Sequence, residues 1–142
     1  MKKPIFTWNP ETGESLCIIK DHDKIYYGIA SCSPEDSDMM NEKTGGFIAE
    51  KRAKIMILRN KRDELKVELN ALKKYYFSMN KSKYFDDTSY PIRRLIRHIS
   101  KTQENLKDIK NLLKYEQNIL NKYIQEKEKF YQKIRKNRNK KS

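Results

Sequence analysis

From residue 48 onward, apolar side chains recur every three or four positions, the period of a helix that buries one stripe. Ile48, Ile55, Leu58, Leu65, Leu69, Leu72, Tyr76 and Met79 fall on one seam of heptad spacing, with Arg62 at an a position of the same seam. No Pro or Gly follows Gly46 in this stretch, so a first long helix is predicted from about Gly45 to Met79, within residues 44–79. The pattern stops over residues 80–89, where Asn, Lys, Ser and Asp-Asp-Thr-Ser are loop chemistry. Pro91 suits the first turn of a second helix, with Thr88, Ser89 or Tyr90 as the cap. In that helix Ile92, Ile99, Leu106, Leu113 and Leu120 recur at intervals of seven, and Leu95, Ile109, Tyr123 and Phe130 fill the alternate positions. Thr102, Glu116 and Lys127 are polar exceptions on the seam. The second helix is predicted over residues 90–136, with 137–142 as a frayed basic tail. Two long helices joined by so short a loop fold back as an antiparallel hairpin.

The first 43 residues have a different rhythm. Ile5–Trp8, Ser15–Lys20 and Lys24–Cys32 read as three short strands. Asn9-Pro10-Glu11-Thr12-Gly13 supplies one turn and Asp21-His22-Asp23 the other. Ser33-Pro34-Glu35-Asp36 resembles a helix start, good for one or two turns ending near Met40. A meander this small is not stable alone and must pack on the helices. The predicted fold is α+β and a single domain over 1–142: a small antiparallel β-meander head followed by two long antiparallel coiled-coil helices.

Charge sharpens this picture. The net charge is +13, yet residues 1–45 carry five Lys or Arg against eight Asp or Glu, and residues 46–142 carry 27 against 11. A basic helical body under an acidic head calls for an anionic partner, whether a nucleotide, a nucleic acid or an acidic protein surface. The alternative is that Lys-rich faces only keep the helices soluble. With the turn centred on His22–Asp23, Cys17 falls opposite Gly28, out of register for a bridge to Cys32, so two reduced thiols in a cytoplasmic protein are expected. No apolar run reaches the length of a membrane span, and Met1-Lys2-Lys3-Pro4 leads straight into a strand with no secretory leader pattern. Ile57, Val67 and Tyr75 on the first helix, and Ile96, Leu112, Ile119 and Ile124 on the second, lie outside the main seam. One hairpin cannot bury all of these, which predicts a homodimer or higher oligomer with a helix bundle at its centre.

No catalytic constellation is legible: the chain has no Gly-rich phosphate loop, no nucleophile elbow and no metal-ligand spacing. Glu35, Asp36 and Asp38 resemble a general-acid pair but have a sufficient reason to stand at a helix start. A non-enzymatic protein without cofactor or metal is expected. The informative stretch is the hairpin tip. Tyr75, Tyr76, Phe77, Tyr84, Phe85 and Tyr90 are six of the fifteen aromatics, ringed by Lys73, Lys74, Lys81 and Lys83, then Arg93, Arg94, Arg97, His98 and Lys101. Aromatic faces stack on bases and Arg forks hold phosphates bidentately, so this cluster suits a nucleotide. The competing explanation is that the aromatics plug the hairpin end while the arginines are solvated. Arg62, a cation on the seam, joins Arg59 as a further candidate anion contact, unless it turns out to solvent or pairs with Glu116. The candidate ligand-binding residues are Arg59, Arg62, Tyr76, Phe77, Phe85, Arg93, Arg94 and Arg97.

The stretch Gly28–Asp36, followed by Thr44-Gly45-Gly46-Phe47-Ile48-Ala49-Glu50-Lys51-Arg52-Ala53, resembles small phage proteins of the anti-Thoeris sponge family. Met79–Phe85 and the ending Phe130–Arg138 are similar too. The resemblance implies a non-enzymatic sponge with a small antiparallel sheet and two long helices, assembled as dimers or larger. Such a protein captures a cyclic ADP-ribose signal made by the TIR-domain protein of bacterial Thoeris defence, in the host cell cytoplasm. Some members also hold cyclic oligonucleotides. The resemblance further implies pockets of Arg, an aromatic and an Asn near protomer contacts; those residues do not map one by one onto this chain. A basic coiled-coil nucleic-acid-binding protein and a protein inhibitor of a host enzyme are the alternatives.

Overall fold

The short apolar runs between the turns of residues 5–30 become three antiparallel strands in the order β1-β2-β3, with β1 at Ile5–Asn9, β2 at Glu14–Asp21 and β3 at Lys24–Ala30. The structure is a computed structural model and describes residues 3–31, 41–82 and 85–141. The register pairs Cys17 with Gly28 on β3 and with Phe6 on β1. Two left-handed residues close the hairpins, Gly13 at φ 72° and His22 at φ 55°. The first turn is tightened by Asn9, whose Oδ1 accepts from the Glu11 amide at 3.0 Å. Strand β3 ends at Ala30, short of the predicted Cys32, with Ser31 already outside it, while Cys32, the short helix expected over 33–40, and Glu35, Asp36 and Asp38 lie outside the described residues.

Helix α1 spans Glu42–Asn80 and α2 spans Tyr90–Lys141, so a three-stranded sheet followed by two long helices makes the fold α+β. Helix α1 starts a turn earlier than the spacing predicts. Asn41 caps it, its Oδ1 accepting from the Thr44 amide at 2.7 Å, and the Gly45-Gly46 pair is absorbed into the first turns. Helix α2 runs past residue 136: Asn137–Lys141, predicted as tail, are helical.

The chain forms two compact units. In the first, Met1–Ile57 and Lys114–Ser142, the β2–β3 face carrying Cys17, Ile19, Tyr26, Gly28 and Ala30 is buried together with Ile48, Ala49, Ala53 and Ile55 of α1. Gly28 allows the close approach: a β-carbon there would collide with the Ala49 carbonyl and lie 2.6 Å from the Ala53 nitrogen. Gly45 does the same against Ser15. The helical segments run antiparallel in this unit, with Phe47 on Tyr123 at 4.3 Å between centroids and Lys51 Nζ on Glu116 Oε2 at 2.7 Å. Glu116 is therefore the partner of Lys51 and not of Arg62.

In the second unit, Leu58–Leu113, the seam residues Leu69, Ile92, Leu106 and Leu113 are buried and the segments again run antiparallel, tied by His98 Nε2 and Glu68 Oε1 at 3.1 Å. Each fully buried Leu or Ile contributes roughly 1.5–3 kcal/mol. The heptad seam slips near the end of α2. Phe130, predicted on it, is 57% exposed, and Tyr131 is buried instead. An α-helix drifts about 20° per heptad against a 3.5-residue repeat, so over several heptads the buried stripe moves by one residue.

Candidate ligand-binding site

The hairpin tip is built by short-range bonds. At the end of α1 the Ser82 amide donates to the Met79 carbonyl at 3.0 Å, and the Phe85 amide donates to Ser82 at 3.1 Å. Asp86 Oδ1 then accepts from both the amide (2.9 Å) and the hydroxyl (2.6 Å) of Thr88, which holds its carboxyl below the usual carboxylate range. The Arg93 amide donates to the Ser89 carbonyl at 3.0 Å, which opens α2 behind a Ser89 cap.

These bonds bring three of the predicted aromatics together. Tyr76 meets Phe85 edge to face at 5.8 Å and Phe77 at 6.2 Å, and the Phe77 ring is exposed while Tyr76 and Phe85 are half-buried. Lys83 and Tyr84 lie outside the described residues. Arg93, Arg94 and Arg97 stand exposed on the first two turns of α2, and none of them is ion-paired among the described residues. Arg93 and Arg97 share one face at i,i+4. His98, on the same face as Arg94, is occupied by Glu68.

Arg59 and Arg62 do not belong to this cluster. They precede Tyr76 by 17 and 14 residues on α1, which at 1.5 Å per residue is roughly 25 and 20 Å. Arg62 snorkels from the seam and pairs with Asp63 at 3.1 Å, while Arg59 is exposed. The groove of about 390 Å³ on this stretch is lined by Lys61 against Glu64, Glu68 and Asp108, a charge balance that repels phosphate.

A second concave surface, of about 380 Å³, lies in the first unit and was not legible from the spacing of charged residues. Phe6, Trp8 and Phe47 wall it, Glu42, Lys43 and Glu50 edge it, and Ser15 lies at its base. The Ser15 hydroxyl is buried with no hydrogen-bond partner among the described residues. Two carboxylates against one ammonium make it a poor phosphate site as well. Its signal in the sequence is the Gly45-Gly46 pair, which lets α1 approach β1 and β2 closely. Among the described residues no group of three or more His, Cys, Asp or Glu is placed to hold a metal ion, and no helix is long and apolar enough to cross a membrane. No protein-family model, curated protein or solved structure matches the chain.

Proposed function

We propose that the hairpin tip binds a cyclic nucleotide of the cyclic ADP-ribose type and sequesters it without cleaving it. The observation that carries this reading is the juxtaposition at one hairpin end of an aromatic trio, Tyr76, Phe77 and Phe85, with three arginines, Arg93, Arg94 and Arg97, that are not ion-paired among the described residues. An unpaired guanidinium fork matches a phosphate without first breaking an ion pair, and an exposed aromatic face takes a base. Tight capture with slow release needs no chemistry, which agrees with a function as an anti-defence sponge in the host cytoplasm and with the likeness of the chain to such proteins. Arg59 and Arg62 take no part in this site.

The test is calorimetric titration of a cyclic ADP-ribose isomer into the wild type and tip variants. Phe85→Ala should weaken binding by roughly 1–3 kcal/mol, the range for loss of a stacking face. Arg93→Ala and Arg97→Ala should cost about as much, roughly 1.5–3 kcal/mol each, if each guanidinium holds a phosphate. Arg59→Ala should leave affinity unchanged. Equal loss in Arg59→Ala and Arg97→Ala would move the site off the tip. Binding to duplex DNA or RNA that falls steeply with salt, and none to the cyclic nucleotide, would favour a nucleic-acid-binding protein instead.

A further inference from the structure

The three-stranded sheet is apolar on both faces. One face packs on α1. On the other stand Ile5 of β1, Leu16 and Ile18 of β2, and Ile25, Tyr27 and Ile29 of β3, with Ile25 65% and Ile5 62% exposed. A sheet that faces water on one side ordinarily alternates apolar with polar residues; β3 carries Ile, Tyr and Ile where polar side chains would stand. Sheets of this kind are the middle layer of a sandwich.

We propose that this outer face is an isologous dimer interface, covered by the same face of a second copy of the chain. The register selects that occupant. Glu14 and Lys20 lie on the outer face of β2, both exposed, at equal distances either side of Cys17, and neither is ion-paired among the described residues. Consider a two-fold axis lying between two stacked sheets, perpendicular to β2 and level with Cys17. It reverses the strand direction and lays Glu14 over the partner's Lys20, twice. At the level of Cys17 the neighbouring strands are at Phe6 and Gly28. The same axis therefore lays Leu16 over the partner's Ile18, Tyr27 over the partner's Ile29, and Ile5 over the partner's Thr7. The other in-plane axis, parallel to β2, lays Glu14 over Glu14 and Lys20 over Lys20, and charge repulsion disfavours it. An apolar centre with oppositely charged ends that exchange under one rotation is self-complementary, the condition for a closed dimer. The interface stands independently of the nucleotide reading.

Sedimentation velocity of the full chain tests it. The wild type should run as a dimer at micromolar concentration. Glu14→Lys alone, or Lys20→Glu alone, creates two like-charge contacts and should weaken the dimer about tenfold at low salt, whereas the double swap Glu14→Lys/Lys20→Glu should restore it. Ile18→Lys, at the centre of the face, should give a monomer with an unchanged circular dichroism spectrum. A wild-type monomer overturns the proposal, and so does a dimer indifferent to all these changes but broken by Val67→Lys or Leu112→Lys, which would place the contact on the helices.

Discussion

Ser15 shows how one side chain can be at odds with its surroundings. Its hydroxyl is buried against Gly45 and has no partner among the described residues, and a buried unsatisfied donor costs about 1–3 kcal/mol. Ser15→Ala removes the polar atom and leaves the β-carbon, so it should raise unfolding stability by about 1 kcal/mol in a denaturant titration. A drop would mean that the hydroxyl finds a partner in solution. Cys17, two residues along the same face, is fully buried, and burial raises its thiol pKa; Glu50 raises it further, and Lys54 only partly offsets them. A raised folded-state pKa stabilises the fold fully below the unfolded thiol value of about 8.5 and less as pH climbs beyond it. In a Cys32→Ser variant, Cys17 should therefore resist thiol-specific labelling at pH 8 until denaturant is added. Labelling of the native protein would place this strand in an open state.

At the scale of elements, most of the architecture was legible because period is a local property. Short apolar runs between turn residues gave the strands, the 3.5-residue seam gave the helices, and the His22–Asp23 turn predicted the Cys17–Gly28 register that the sheet has. What was not legible depends on three-dimensional contact. Gly45 and Gly46 read as the opening of the first long helix, but nothing in the spacing says that they lie inside it because α1 comes close to Ser15 and Phe6. Phe130 lost its seam position to helical drift. The candidate site was half legible: composition pointed to the tip, but no spacing rule says that Arg62 turns to Asp63 or that Glu116 goes to Lys51. Two substitutions test these contacts. Gly28→Ala drives a methyl group into the α1 backbone at Ala49 and Ala53 and should destabilise the protein by about 2–3 kcal/mol, read as a lower denaturation midpoint. Arg62→Leu completes the apolar seam at the cost of an exposed ion pair worth at most about 1 kcal/mol, so helicity and the melting temperature should hold or rise. A large loss of helicity would show that Arg62 is structurally required.

For the whole molecule, the separation of charge is the feature that any function must use. The acidic head is spent on packing and on an apolar outer face, and the surplus of cations belongs to the helices. Scattered lysines alone suit a polyanion; arginines gathered beside aromatics at one hairpin end suit a small one. Capture without conversion is read from what the protein holds and gives back. The protein is incubated with a cyclic ADP-ribose isomer, freed of unbound ligand by gel filtration, and heated to release what it holds, and the released material is weighed by mass spectrometry. The ligand should co-elute with the protein and return at its original mass and in its cyclic form. A hydrolysed product would make the protein an enzyme, and no retained nucleotide at all would remove the tip as a ligand site.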